Sequence, residues 1–296
     1  MKIIVTGSLG NISKPLAKQL ITKGHDVTIV SSDANKINDI EALGAKAAIG
    51  SIADVDFLVE TFKRADAVYT MIPPNFGATN YRKYVGDSGK TYAEAIKKSG
   101  VKRIVNLSSI GADIDGATGP ISGVHDAEIE LNKLEDVAIK HVRAGFFYIN
   151  FYNNVPMINQ GFLGSNYSAQ TRLVMTHPQD IADIVAEELQ NIFTGKSVRY
   201  AVSDERTLGD AVKVLGAAIG KPDLNWVEFT DQQAYEGMLQ GGLPPEIARN
   251  FTEMGTAVRS GILWKDFDAK GGVISGKIRL EGFAKELAER LQVTAS

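Results

Sequence analysis

The sequence predicts an α/β protein: a doubly wound parallel sheet with a smaller, mostly helical C-terminal lobe. Three observations predict it. A glycine loop at residues 6–13 separates the first apolar strand from the first helix-period segment. Short β-branched apolar runs then alternate with helical patterns through the first half. Past about residue 155 the alternation gives way to helical patterns with little strand between them.

The elements follow in order. Strand patterns cover residues 3–6, 27–30, 45–49, 67–72, 103–107 and 142–147. They are short and β-branched, as strands covered on both faces tend to be. Ile12, Leu16, Leu20 and Ile21 mark the apolar face of the first helix, and Gly24 supplies its stop. Pro15 fits only in the first turn, where no backbone N–H is needed. Leu58 and Phe62 mark a second helix, and Tyr92 to Ile96 part of a third. This strand–helix order implies right-handed crossovers in a parallel sheet. In the second half, residues 180–192 form a helix with Ile181, Ile184, Val185 and Leu189 on one side. A short strand at 198–202 follows, then helical segments near 208–219, 232–239, 246–258 and 280–291.

Composition excludes several function classes. The chain has 296 residues, enough for about two domains. Its net charge of −3, without a Lys/Arg run, argues against a nucleic-acid partner. The absence of cysteine excludes disulfides, thiolate catalysis and cysteine-ligated metals. His25, His125, His141 and His177 show no metal-ligand spacing, so no metal is expected. His25 reads as a surface turn residue, His141 as a strand-start residue and His177 as a helix-start residue. The acids between Asp126 and Asp136 read as a solvated helix face. The opening apolar run breaks too early for a signal peptide, and no run reaches the roughly 20 apolar residues that span a bilayer. A cytoplasmic protein with no membrane contact is therefore expected.

The glycine loop is where the chemistry begins. Thr6, Gly7, Ser8, Leu9, Gly10, Asn11, Ile12 and Ser13 follow a strand and open a helix. Glycines there permit a tight turn and close backbone approach to a pyrophosphate. The helix N-terminus adds free N–H groups and a positive dipole end. The spacing is G-x-x-G-x-x-S, with Ser13 where a third glycine usually serves helix–strand packing. A Rossmann-type dinucleotide site is expected, with residues 1–155 as its domain and 173–202 returning to it. Residues 156–296 are then the smaller, substrate-side lobe. Ser31 follows the second strand, where an acid would bond the ribose hydroxyls of NAD. Ser31, Ser32 and Lys36 suit a 2′-phosphate, so NADP(H) is favoured over NAD(H). Asp33 argues the other way if it curls toward the ribose. All four could equally cap the next helix.

With these residues in view, the chain resembles the NmrA-like family of atypical short-chain dehydrogenase/reductases. The carriers are residues 6–13, Ser108-Ser109-Ile110-Gly111-Ala112, His125 with Glu128, Arg143-Ala144-Gly145-Phe146-Phe147, and His177-Pro178-Gln179-Asp180-Ile181-Ala182. Within that family it is most similar to the branch holding triphenylmethane reductase and NADPH:quinone oxidoreductase. The family's Tyr-x-x-x-Lys relatives would place that pair at Pro120 and Val124, so this chain lacks it. An arginine frequent in NADP binders is replaced by Ser31, and an acid frequent after the third strand by Gly50-Ser51. The resemblance implies a nicotinamide-dependent reductase or a non-catalytic cofactor sensor.

Reducing a simple ketone creates a localised alkoxide that needs a proton donor. A quinone or conjugated dye yields a delocalised, less basic product, so orientation and an apolar pocket suffice. Absence of the pair points to an NAD(P)H-dependent oxidoreductase acting on conjugated small molecules. A redox sensor that binds NADP(H) without turnover is the second reading, and a sugar-nucleotide epimerase or dehydratase is disfavoured. Ligands in such sheets bind at the carboxyl ends of the strands. Met71, Ile72, Pro73, Ser108 and Ser109 are therefore expected at the cofactor. Asn75, Phe76, Gly111, Phe147, Tyr148 and Asn153 are expected to line the substrate pocket, with the glycine-bearing stretch 108–125 as a mobile loop. His125 is the candidate catalytic residue, donating a hydrogen bond from a neutral ring to the acceptor oxygen. Capping its helix or bonding the loop backbone is the alternative. Among macromolecular partners, only a second copy of the chain, a homodimer, is entertained.

Overall fold

A computed structural model describes residues 1–295. The N-terminal part runs β1 (Lys2–Val5), α1 (Ser13–Thr22), β2 (Asp26–Ser31), α2 (Ile37–Ala42), β3 (Lys46–Ile49), α3 (Val55–Phe62) and β4 (Ala67–Thr70). It continues through α4 (Tyr81–Ser99), β5 (Arg103–Ser109), α5 (Ile121–Asn132), β6 (Ala138–Ala144) and β7 (Phe146–Phe147). A 3-10 turn at Tyr148–Asn154 leads into α6 (Val155–Asn159), β8 (Phe162–Ser165), β9 (Arg172–Thr176), α7 (Pro178–Gln190) and β10 (Lys196–Ala201). The chain ends with β11 (Asp204–Thr207), α8 (Leu208–Ala218), β12 (Asn225–Glu228), α9 (Asp231–Gln240), α10 (Pro245–Ser260), α11 (Lys265–Ala269) and α12 (Leu280–Ala295).

Seven strands form one sheet in the order β10-β6-β5-β4-β1-β2-β3, all parallel. The order reverses between β1 and β4, which opens a crevice at their carboxyl ends. The pleat sends neighbours to opposite faces. Ile3 and Val5 join Leu16, Leu20, Ile181, Val185 and Leu189 under α1 and α7. Ile4 joins Leu58, Phe62, Tyr92, Ile96 and Leu131 under α3, α4 and α5. Each such side chain, fully buried, contributes about 1.5–3 kcal/mol.

The strand pattern at 67–72 is shortened by the structure. β4 ends at Thr70, and Met71 already leaves the sheet. The run at 142–147 is two strands, not one. β6 starts earlier, at Ala138, and ends at Ala144; β7 then pairs with β9 in a separate three-strand sheet, β11-β9-β7. Gly145 makes the crossing. A Cβ there would lie 2.6 Å from Val174 O, so only glycine lets the two backbones come so close. His141 consequently sits in the middle of β6, not at a strand start.

Helices α8, α10, α11 and α12 pack around Tyr148, Phe151, Leu215, Trp264, Phe267, Phe283 and Leu287. A strap without regular structure, residues 270–279, carries the chain from α11 to α12. The buried Asp180 carboxylate, at the start of α7, clamps this strap. It accepts N–H bonds from Lys277 and Ile278, both at 3.0 Å, and the Ser203 hydroxyl at 2.6 Å. Among the described residues, no helix is long and apolar enough to cross a membrane.

Candidate functional site

The glycine loop is held from four sides. Met71 N donates to Thr6 Oγ1 (2.9 Å), and Ser13 Oγ donates to Thr6 O (2.8 Å). The serine that replaces a third glycine thus stitches α1 to the end of β1. Gly7 has φ +93°, and a Cβ there would lie 2.5 Å from Ser13 Oγ and 2.8 Å from Met71 Cγ and Sδ. Ser8, at φ +54°, donates its N–H to Val30 O (3.0 Å) and its hydroxyl to Ser31 Oγ (2.9 Å).

Gly10 differs. It is exposed, its φ is ordinary, and a Cβ there would meet only Gly7 O, at 3.0 Å. No side chain caps α1, and its first turn holds no acid. The helix start therefore presents backbone N–H groups and a positive dipole end at an exposed turn, Gly10-Asn11. A pyrophosphate is an anion of the right chemistry for that cradle, so the residues present fit a dinucleotide. Asn11 is exposed at the rim, whereas the Ile12 side chain is buried in the core and offers the ligand only backbone.

The loop after β2 requires a correction. Ser31 is 3% exposed. Its hydroxyl accepts from Ser8 Oγ and from Asp33 N, so it braces the glycine loop instead of facing solvent. Ser32 and Lys36 are exposed beside it. Asp33 Oδ1 accepts from Asn35 N (2.9 Å), which ties the carboxylate to a helical turn.

Half-buried Leu9, Met71, Leu107 and Phe147 pack on the core cluster that lies under α1 and α7. Tyr92 fixes Met71 from the other face, its hydroxyl donating to Met71 O (2.8 Å). Ile72 is half-buried and Pro73 exposed on the outgoing chain. Ser109 is half-buried, with its hydroxyl on Ile110 O.

Ser108 points elsewhere. It is buried, and its hydroxyl donates to Glu128 Oε1 (2.5 Å). Glu128 also takes a two-pronged bond from Arg143, at 3.0 and 2.7 Å. The guanidinium reaches on to Asp113 (3.3 Å) and to Asp266 of α11 (3.1 Å). Burial disfavours the Arg143 charge, but the Glu128 carboxylate outweighs that and keeps it protonated. Burial likewise raises Asp266, yet bonds from Lys270 and Tyr200 hold its carboxyl below the usual range. The sequence marked Glu128 and Arg143 as motif residues without a role. The signal was there: two opposite charges in elements otherwise apolar toward the sheet.

His125 is half-buried, and its Nδ1 donates to Ala112 O (2.9 Å) when the ring is neutral. Nε2 then carries a lone pair and has no proton to give an acceptor. The neutral-ring donor role is therefore replaced by anchoring of the loop. The His125 ring also lies within 4.8 Å of the Asp115 and Asp126 carboxylates. Arg82 bonds both of those acids at 2.7 Å, so that group is an ion-pair cluster. The loop itself is packed rather than open. A Cβ on Gly111 would lie 2.6 Å from Leu263, and one on Gly119 2.0 Å from Asn250 O.

Tyr148 is not a pocket wall. It has no exposed surface, stacks on Phe283 at 5.4 Å, and donates its hydroxyl to Ile278 O. Asn153 is exposed on the same 3-10 turn, which packs toward α12. Asn75 and Phe76 are exposed on the segment after β4.

A model of the NmrA-like family matches residues 1–261. An NAD(P)H azoreductase of Xenophilus azovorans is 24% identical over 258 residues, 85% of each chain. The NADPH complex of an NADPH-dependent quinone oxidoreductase from Escherichia coli superposes with a TM-score of 0.82. That pair is 16% identical and covers 96% of this chain and 99% of the other. Triphenylmethane reductase of Citrobacter sp., complexed with NADP(H), gives 0.80 at 16% identity, over 97% and 99%.

Proposed function

The chain belongs to the NmrA-like family, and from that premise we propose that it is an NAD(P)H-dependent reductase of quinone-like or other conjugated small molecules. The observation that carries this is the glycine loop: Gly10, exposed and with only the Gly7 carbonyl beside its Cβ position, stands before an uncapped helix start with no acid in its first turn. The named activities of the azoreductase and quinone oxidoreductase relatives support the acceptor class.

A bound reduced nicotinamide supplies hydride. The chain's own residues bind and orient. Backbone N–H groups of Asn11 and Ile12 would hold the pyrophosphate, and Gly7 with Thr6 keeps the loop tight. Leu9, Met71, Leu107 and Phe147 give an apolar wall that excludes water, with Ile72, Pro73 and Ser109 at the strand ends. NADP(H) is favoured over NAD(H). No carboxylate closes β2, Asp33 is engaged by Asn35, and Ser32 and Lys36 stand exposed for a 2′-phosphate. A conjugated acceptor needs no strong proton donor, which suits a chain whose candidate histidine, His125, is tied to the Ala112 carbonyl.

The test is oxidation of NADPH and of NADH by the purified protein against quinones, azo dyes, triphenylmethane dyes and simple aldehydes. Turnover with the conjugated acceptors and not the aldehydes is expected, faster with NADPH. Tight NADPH binding with no turnover of any acceptor would replace this reading with that of a redox sensor.

A further inference from the structure

We propose that Phe76 and Phe251 form an aromatic clasp that selects elongated, multi-ring acceptors; this rests on the reductase reading above. The segment after β4 begins at the glycine loop, where the Met71 side chain lies against Gly7. Five residues later it presents Phe76, 41% exposed. Its ring meets Phe251 of α10 edge-on, at 5.8 Å and 76°. Tyr81 lies behind it at 6.2 Å.

The ring is presented rather than stored. Pro73 and Pro74 restrict the backbone beneath it, and Tyr84 donates its hydroxyl to Pro73 O (2.9 Å). Asn75 Oδ1 accepts Gly77 N (3.1 Å), fixing the turn that carries Phe76. A ring so braced yet so exposed adds little to the core. Its edge-on partner leaves a face free for stacking.

The surroundings suit an uncharged plane. Glu246, the acid beside the clasp, already accepts from Tyr81 N (3.3 Å) and Asn250 Nδ2 (3.2 Å). Burial pushes the Tyr81 phenol up to about 12, so it stays neutral. Five extended residues span at most about 17 Å. Within that reach, an acceptor of two or more linked rings can lie at the glycine-loop end and touch the clasp together. A single ring would react without reaching it.

The experiment compares Phe76→Leu, Phe251→Leu and Phe76→Tyr with the parent protein. 2-Phenyl-1,4-benzoquinone and 4-(dimethylamino)azobenzene, both uncharged and elongated, are the multi-ring probes, and 1,4-benzoquinone the single-ring one. Both leucine variants should raise KM for the multi-ring probes about tenfold, well beyond any rise with benzoquinone. Phe76→Tyr should restore it, since the ring remains. NADPH titration should give the same Kd throughout. Equal changes for all three probes would overturn the clasp. Should the parent protein turn over nothing, the reductase reading falls while the clasp is still judged by equilibrium binding of 4-(dimethylamino)azobenzene in the presence of NADP+. Weaker binding in the leucine variants supports it, and equal binding overturns it.

Discussion

Gly7 and Gly10 are the same residue type under two different demands. Gly7 satisfies the fold: its φ is +93° and its Cβ position is filled by Ser13 and Met71. Gly7→Ala should therefore lower stability by about 1–3 kcal/mol, read by urea denaturation. Gly10 satisfies the ligand. Gly10→Val should keep most of its melting temperature and lose NADPH affinity about 10- to 100-fold, the worth of one to two charge-assisted bonds. Unchanged affinity would remove the pyrophosphate from this loop. His141 gives a pH signature at the same scale. It accepts from Asn106 Nδ2 on Nδ1 and donates from Nε2 to Asn132. Burial lowers its pKa from 6.5, with Glu128 pulling it up and Arg143 pushing it down. Below about 6.5 the unfolded chain takes a proton that the folded ring refuses. Stability should be full above that pH and fall as pH drops through it toward the folded pKa. His141→Gln should flatten the slope in melting temperatures between pH 7 and 5; an unaltered slope would assign it to other groups.

At the scale of elements, the segment between β5 and α5 shows why glycine content misleads. Its glycines suggest mobility, yet Gly111 and Gly119 are the points where Leu263 and α10 press closest. His125 closes the segment by bonding Ala112 O. His125→Ala should cost about 0.5–1.5 kcal/mol by loss of that bond. Turnover per folded molecule should stay near the parent value. A strong loss of turnover at unchanged melting temperature would return His125 to the chemistry. Proteolysis of residues 110–119 in the variant gives an independent readout of the freed loop. The family motif at 177–182 has a comparable explanation: His177 caps α7 by accepting Gln179 N, and Asp180 turns inward to the strap.

At the scale of the whole molecule, two of the seams that join the elements of the seven-strand sheet to the C-terminal helices are built on buried charge. Arg143 reaches from β6 to Asp266 of α11, and Asp180 holds the strap that leads to α12. The second seam is the more testable. Asp180→Asn places an amide N–H₂ where three donors converge, leaving about 2–3 kcal/mol of bonding unmet. The variant should unfold at lower urea and be cut by trypsin at Lys277 or Arg279 before global unfolding. Resistance to trypsin equal to the parent would show that the strap is held by its other bonds, such as Gly276 N to Val202 O and the Tyr148 hydroxyl to Ile278 O. Arg279 contributes as well, donating to Ser203 O.

The sequence by itself determined the sheet and the place of the cofactor loop. Strand periodicity, the terminal glycine loop and the helix faces are local patterns, and each is set by neighbours a few residues apart. The switch between β1 and β4 follows from them by chain handedness. The small strands β8, β9, β11 and β12 were not legible, because their pairing partners lie far along the chain and their sequences are only four or five residues long. Side-chain roles were decided only by the tertiary structure. Ser31, Ser108 and Tyr148 sit in the segments expected for a site, yet each points into the protein. Sequence places a residue near a strand end; packing across the sheet decides which face it serves. Phe251 is the converse case. Nothing in its helix marks it, and only the meeting of α10 with the segment after β4 brings it to Phe76.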